Sequence, residues 1–375
     1  MAKGTIIYMG NYELPDKNAA AHRVINNGKL FQSLGYRVAY LGTTREQQFA
    51  GIKPLAGFPD IYEEAYPSGI KRWAEHIFST SNIEAVVGRY PDTCLVITYN
   101  VPFKTYQAVK KVFAKKNIRV AYDCTEWNSF ASGALPKRLY KKMDERQIRT
   151  ALSKNCSDII VISRLMEEKY EGANLLRLPP LVDISDSIWH QKRQTRSDIF
   201  EFCFAGTTSN KEKLENIVSA FLTINRQNFR LRIIGVTRED YLSQFPEQSK
   251  LLLNESRITF MGRLSHDETV KHILNCNCYI FIREATRRNE AGFPTKFAEA
   301  RTCGVPIIST DVSDIKNFGD DKVLLLSKTD AEDVAKAMIK AENKFGSMSF
   351  DELNCSFDYH HFSSECKKWL ENVFQ

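Results

Sequence analysis

No apolar run in this 375-residue chain approaches the roughly 20 residues that a helix needs to cross a bilayer. The opening stretch "MAKGTIIYMGNYELPD" lacks the long apolar core and small-residue cleavage site of a secretory signal, and it predicts a cytoplasmic protein. No G-x-G-x-x-G follows a strand-like run, so the dinucleotide fingerprint is absent. The nine cysteines form no CxxC or Cys/His cluster with zinc spacing; the one close pair is Cys276 and Cys278, inside an apolar run. They are expected to be reduced and mostly buried. Neither an aromatic-and-glycine RNA-binding signature nor a DNA-binding motif occurs, so nucleic acid is not expected as a partner. There is no 20–50-residue repeat and no low-complexity tract.

What the chain does have is two successive alternations of short apolar runs with helical patterns. In the first half "GTIIYMG", "YRVAYLG", "TCLVITYN", "IRVAYDCTEW" and "DIIVIS" read as strands, separated by patterns such as "NAAAHRVINNGKLFQSLG". Residues 52–87 are less regular and read as loop and helix. "LLRLPPLVDISDSIWHQKRQTRSDIF" breaks the rhythm with two prolines and a polar stretch, the composition of a linker. Alternation restarts with "FEFCFAG", "FRLRIIGV", "RITFMG", "NCYIFIRE", "VPIIST" and "KVLLLS". The pattern predicts two α/β domains, each a parallel sheet covered by helices. Their expected bounds are 1–183 and 199–359, with a linker at 184–198 and an amphipathic helix at 360–375 that packs back on the first domain.

Charge is unevenly divided. Residues 1–182 hold 26 Lys and Arg against 17 Asp and Glu, whereas the remainder holds 26 against 28. The excess peaks at 104–143, where ten basic residues, Lys104, Lys110, Lys111, Lys115, Lys116, Arg119, Lys137, Arg138, Lys141 and Lys142, face Asp123 and Glu126. Such a run is a solvated face, or a surface that meets anionic lipid headgroups or a phosphorylated acceptor.

Ligands of open parallel sheets bind beyond the carboxyl ends of the strands, so the loops after strands carry the argument. After the first strand, Ala19, Ala20 and Ala21 start a helix, and His22 and Arg23 read as first-turn surface residues. In "FAGTTSNKEKLENIVSAF" a strand ends at Gly206, and Lys211 and Lys213 precede a helix; amides plus an ammonium suit a diphosphate. Arg263 lies in the loop 262–265. "NCYIFIREATRRNEAGFPTKFAEA" brings Arg283, Arg287, Arg288 and Lys296 near one strand end and one helix start. Phe293 and Pro294 set the helix direction and Thr295 is placed to cap it. Glu299 lies one turn further in, on the face of Thr295, where a carboxylate can accept from two neighbouring hydroxyls such as those of a ribose. An anion site beside a diol site suggests a nucleoside diphosphate.

These motifs resemble the retaining family 4 glycosyltransferases of GT-B fold, over nearly the whole length. "AGFPTKFAEARTCGVPIIST" matches the family's E-x7-E segment and the strand after it, except that Ala291 stands where the family has its first Glu, with Glu290 one place early. The resemblance gives Glu299 the nucleotide ribose and leaves the backbone from Gly292 through Phe293 to Thr295 nearest the donor sugar. The family's G-R-L-x-x-x-K-G is represented by "GTTSNKEK", with Thr207 at the Arg position and the Lys offset by one, as Lys211 or Lys213; Lys211 is favoured, with Arg283 or Lys296 replacing the missing cation. "LLRLPPLVD" resembles the junction that ends the family's first domain.

The resemblance implies two Rossmann-like domains facing a central cleft, the first for the acceptor and the second for a nucleoside-diphosphate sugar. It implies retaining transfer to a saccharide or lipid-linked acceptor, in surface polysaccharide or glycan assembly; the basic run at 104–143 adds the expectation of a peripheral contact with an anionic membrane. Lys211, Arg283 and Glu126 are the expected catalytic residues; Glu299, Lys296, Thr295, Phe293, Gly292, Gly206 and Arg263 are expected to bind the donor. Glu126 would orient the acceptor and Trp127 would stack on a sugar ring. No D-x-D, the metal site of the other major glycosyltransferase fold, occurs, so no metal and no cofactor beyond the donor is expected. Two other readings are a GT-B-fold nucleotide-sugar 2-epimerase and a non-catalytic sugar-nucleotide-binding partner.

Overall fold

A computed structural model describes residues 2–127, 135–193, 198–208, 211–348 and 352–375, with the backbone alone at 135–137. The side chain of Lys137, part of the 184–198 stretch, and Ser209 and Asn210 after Gly206 therefore lie outside the described residues. The chain divides into two compact units, 1–181 with 358–375, and 182–357.

The first unit runs β1 (Thr5–Gly10), α1 (Ala19–Ser33), β2 (Arg37–Thr44), β3 (Ile52–Leu55), β4 (Phe58–Ala65), α2 (Gly69–Phe78), α3 (Ser81–Val87), β5 (Thr93–Tyr99), α4 (Phe103–Ala114), β6 (Arg119–Cys124), α5 (Leu135–Asn155), β7 (Asp158–Val161), α6 (Arg164–Lys169) and β8 (Asn174–Arg177). Its sheet order is β3-β4-β2-β1-β5-β6-β7-β8, parallel except for the β3–β4 pair. β1 is wholly buried, as its unbroken apolar run requires at the centre of a sheet covered on both faces. The segment 52–87 corrects the expectation of loop and helix, since it contains the β3–β4 hairpin and two helices. β3 carries Pro54 and is largely exposed, so it shows no apolar run, and it sits at the sheet edge where proline is tolerated.

The second unit runs β9 (Phe200–Ala205), α7 (Leu214–Thr223), β10 (Phe229–Ile234), α8 (Arg238–Gln244), α9 (Ser249–Leu252), β11 (Ile258–Phe260), α10 (His266–Asn275), β12 (Cys278–Phe281), α11 (Arg287–Ala291), α12 (Thr295–Thr302), β13 (Ile307–Thr310), β14 (Val323–Leu326) and α13 (Ala331–Phe345). Its sheet order, β11-β10-β9-β12-β13-β14, reverses direction between β9 and β12, the crevice where doubly wound sheets bind ligands. The 184–198 stretch includes a 3-10 turn, Ser187–His190, whose Trp189 is buried.

The last helix, α14 (Ser363–Phe374), returns to the first unit. It buries Cys366, Trp369, Leu370 and Val373; Trp369 lies 6.4 Å from the Phe31 ring and exchanges hydrogen bonds with Asn174 at 3.0 and 3.1 Å. No helix among the described residues is long and apolar enough to cross a membrane.

A buried ion pair ties α1 to β6. Arg23, expected on the surface, is 5% exposed, and its guanidinium donates to Asp123 at 2.8 and 3.2 Å and to the Leu178 carbonyl at 2.9 Å. The Tyr8 hydroxyl donates to the same carboxylate at 2.6 Å.

Candidate functional site

The site grows from the crevice between β9 and β12. β9 ends at Ala205, and Gly206 follows under tight constraint: a Cβ there would lie 2.8 Å from the Phe204 ring. Gly235, at φ +95°, closes the neighbouring strand end, where a Cβ would lie 2.0 Å from the Gly206 carbonyl oxygen. Only glycine lets these loops approach so closely.

At the end of β12, Arg283 is pinned at both backbone atoms by Thr310: its N–H donates to Oγ1 at 2.9 Å and its carbonyl accepts from Oγ1 at 2.6 Å. Glu212 forms an isolated antiparallel bridge with Arg283, and the Lys213 N–H donates to Ile282 at 2.8 Å. The Arg283 guanidinium donates to Glu212 Oε1 at 2.5 Å, while its Nε is buried with no partner among the described residues. So the loop that sequence reading assigned to lysine also carries a carboxylate into the site, and Arg283 is that carboxylate's counter-ion. Lys213 pairs with Glu284 at 2.8 Å, which raises its pKa, and it occupies the cap position of α7. Lys211 is half-buried, and its carbonyl accepts from Asn289 at 3.5 Å.

The second half of the site is the α11–α12 segment. Thr286 caps α11, and Asn289 donates to the Glu284 carbonyl at 2.9 Å, holding the loop against the strand end. Glu290 turns away: its Oε2 accepts from the Ser313 N–H at 3.1 Å, and burial raises its pKa. Ala291 is fully buried and Gly292 ends α11 in extended backbone. Phe293 packs its ring against Phe297, Phe318 and Phe357. One expectation is corrected here: Thr295 is the first residue inside α12 and does not cap it; Pro294 holds the cap position, and no side chain caps the helix.

Glu299 is 4% exposed on α12. Lys296 Nζ lies 2.6 Å from its Oε2, and His266 Nε2 lies 3.6 Å from its Oε1. Burial alone would raise this carboxyl; Lys296 and His266 outweigh it and hold it at about 2. Sequence reading missed His266. The signal was there in "SHDE", a capping box in which Ser265 and Glu268 satisfy each other's helix-start groups and set His266 at the mouth of α10. The Trp189 ring meets the His266 imidazole edge-on at 6.4 Å. Arg263, on the same loop, is exposed.

The two halves meet at Tyr279 of β12. Its hydroxyl donates to the Ala205 carbonyl at 3.1 Å. Burial pushes its pKa far up, the charges of Glu212 and Glu299 add to that, and Arg283 opposes it. Lys211, Arg283, Lys296, Glu299, Gly206 and the 292–295 backbone thus belong to one unit and one strand-end crevice.

Glu126 belongs to the first unit, where it is half-buried beyond β6 and acts electrostatically on Tyr99. Trp127 corrects the expectation of a stacking platform: it is 4% exposed, donates to the Tyr170 hydroxyl at 3.0 Å and packs edge-on against that ring.

Residues 185–347 match the family model of glycosyl transferases group 1. No curated protein sequence matches the chain. Among solved structures, the chain is similar to sucrose-phosphate synthase from Thermosynechococcus elongatus, at 14% identity and TM-score 0.72 over 99% of each chain. It is also similar to Anabaena HepE in complex with UDP-glucose, at 13% identity and TM-score 0.67 over 98% of this chain and 100% of that one. A third is the Escherichia coli trehalose-6-phosphate structure bound with UDP-2-fluoro glucose, at 9% identity and TM-score 0.65 over 99% of each. Both units and their parallel sheets have the GT-B fold.

Proposed function

We propose that the chain, whose residues 185–347 match the group 1 glycosyl transferase model and whose units have the GT-B fold, is a glycosyltransferase of the retaining, family 4 type that moves a sugar from a nucleoside diphosphate to a saccharide acceptor on a lipid carrier. One observation carries the donor reading: Glu299 is a buried carboxylate kept ionised beside Lys296, one turn from an uncapped helix start. An ionised carboxylate accepts from both ribose hydroxyls. The free amides at the start of α12 face the diphosphate.

Transfer leaves a nucleoside diphosphate, and the negative charge growing on it must be stabilised. In this reading Lys211, Arg283, Lys296 and the α12 amides do so, and no metal is required. The departing phosphate takes the acceptor's proton, so no separate base is needed, and Glu126 orients the acceptor. Because the HepE structure holds UDP-glucose, UDP-sugars are the first donors to try. The test is calorimetry with UDP, GDP and dTDP on the wild type and Glu299→Ala, followed by a donor-hydrolysis screen. A loss of about tenfold or more in affinity on removing Glu299 supports the reading. No nucleotide binding up to about millimolar levels overturns it.

The lipid-carrier part rests on α5. Leu139 and Met143, one turn apart, are 55% and 63% exposed beside Arg138 and Lys142. Sedimentation with anionic vesicles should show binding that weakens with salt and with Leu139→Ser and Met143→Ser. Equal binding to neutral vesicles counts against it.

A further inference from the structure

We propose that a cavity in the first unit is the pocket for one uncharged sugar ring of the acceptor, an inference that rests on the glycosyl-transfer reading. The cavity measures about 310 Å³. It lies at the carboxyl ends of β1, β4 and β5, walled by Met9, Gly10, Ala65 and Val101. The strand order of this sheet also reverses at β1, between β2 and β5, so the cavity occupies a ligand crevice of its own. Its volume is at the lower end for ligand sites, enough for a single ring and too small for an oligosaccharide.

The segment that builds it, "YEEAYPSGIKRWAEHIF", puts a carboxylate on β4 and an imidazole on α2. Glu64 Oε1 lies 3.0 Å from His76 Nδ1, and Glu64 Oε2 accepts from Asn82 Nδ2 at 2.6 Å. Both Glu64 and His76 are nearly buried, with side chains 15% and 12% exposed. Each carboxylate oxygen has used one of its lone-pair sites, so Glu64 can still accept from two hydroxyls. The His76 ring is fixed edge-on against Trp73 at 5.9 Å, and Trp73 is fixed edge-on against Tyr66 at 5.6 Å. Side chains held this way give a pocket formed before its ligand arrives.

The charge set distinguishes this cavity from the donor crevice. Glu64 and Glu75 line it against one guanidinium, that of Arg72, and Arg72 already donates to Gln48 at 2.6 Å. A phosphate would meet two carboxylates. A neutral ring offers hydroxyl donors to Glu64 and its C–H faces to Leu41, Phe49 and Pro67.

The full-length chain is titrated by saturation-transfer NMR with glucose, galactose, mannose, N-acetylglucosamine and the 1-phosphate of each. Two variants are compared: Glu64→Gln, and Ala50→Trp, which fills the rim from an exposed position. At least one neutral sugar should saturate below about 100 mM. Glu64→Gln should weaken it by about tenfold and Ala50→Trp should abolish it. The 1-phosphates should bind more weakly than the parent sugars, and nucleotide affinity should be the same in all three proteins. Neutral sugars that fail to bind, that bind both variants as well as wild type, or that bind more weakly than their phosphates overturn the proposal while nucleotide binding stands. If the wild type binds no nucleotide, the transfer reading itself fails.

Discussion

Lys296 and Glu299 are each other's ion-pair partner at 2.6 Å, one turn apart on α12. The lysine thereby sets the charge state of the carboxylate, because burial works in the opposite direction. The two residues assigned separate halves of a donor, phosphate and ribose, are therefore electrostatically one group.

Lys296→Met should expose that coupling. Without the ammonium, burial dominates and the Glu299 carboxyl rises from about 2. A protonated carboxyl loses its capacity to accept from two hydroxyls. Nucleotide affinity of the variant should then fall as pH is lowered from about 8 to about 5, while that of the wild type stays flat over the same range. Calorimetry at several pH values measures this, and a flat profile in the variant would show that His266 suffices.

The Arg283–Glu212 pair makes the opposite kind of prediction. Glu212 holds the guanidinium that a diphosphate would use. Arg283→Gln should cost about tenfold in nucleotide affinity. Glu212→Gln should leave affinity unchanged or raise it a few-fold by releasing the guanidinium. The double variant should match Arg283→Gln, because the glutamate acts through the arginine. A large loss from Glu212→Gln alone would mean that the carboxylate touches the donor.

Asp144 on α5 offers a stability test. Burial raises its carboxyl from 3.8 to about 6, against the Phe103 N–H that donates to it at 2.8 Å. A raised folded-state pKa favours the neutral form, so this group's contribution is full below about pH 4 and is lost as pH rises through about 6. Asp144→Asn keeps the acceptor and removes the charge. It should stabilise the protein by about 1–2 kcal/mol at pH 8 and by nothing measurable at pH 4, as read by urea unfolding.

The Arg23–Asp123 pair should behave as buried pairs do. Asp123→Ala leaves a guanidinium without its partner and should cost about 3–5 kcal/mol. Arg23→Met with Asp123→Leu should recover much of that loss. Denaturant unfolding of the single and double variants measures the difference.

The central strands were legible because they are buried on both faces and read as unbroken apolar runs, β1 above all. The β3–β4 hairpin was not, since its edge strand is exposed and holds a proline. In the crevice, Glu299 and the glycine after β9 stood out by spacing, and the structure places them with Arg283 in the segments that follow β9 and β12 of one sheet. The two missed partners were missed for one reason. Asp123 is 100 residues from Arg23, and His266 is on a different helix from Glu299, so only the fold brings each pair together. Trp127 was misread for a related reason: an indole in a strand-end loop looks available until the Tyr170 hydroxyl is seen to take its N–H.

The return of α14 has a consequence for biosynthesis. The first unit is built from residues 1–181 and 358–375, with the second unit inserted between them. A chain emerging from the ribosome can therefore finish the second unit, 182–357, before the first. Until Trp369 arrives, the faces of Phe31 and Asn174 that it covers are bare. The older half of the chain must wait, partly open, for the youngest, and that interval is when a chaperone would find it.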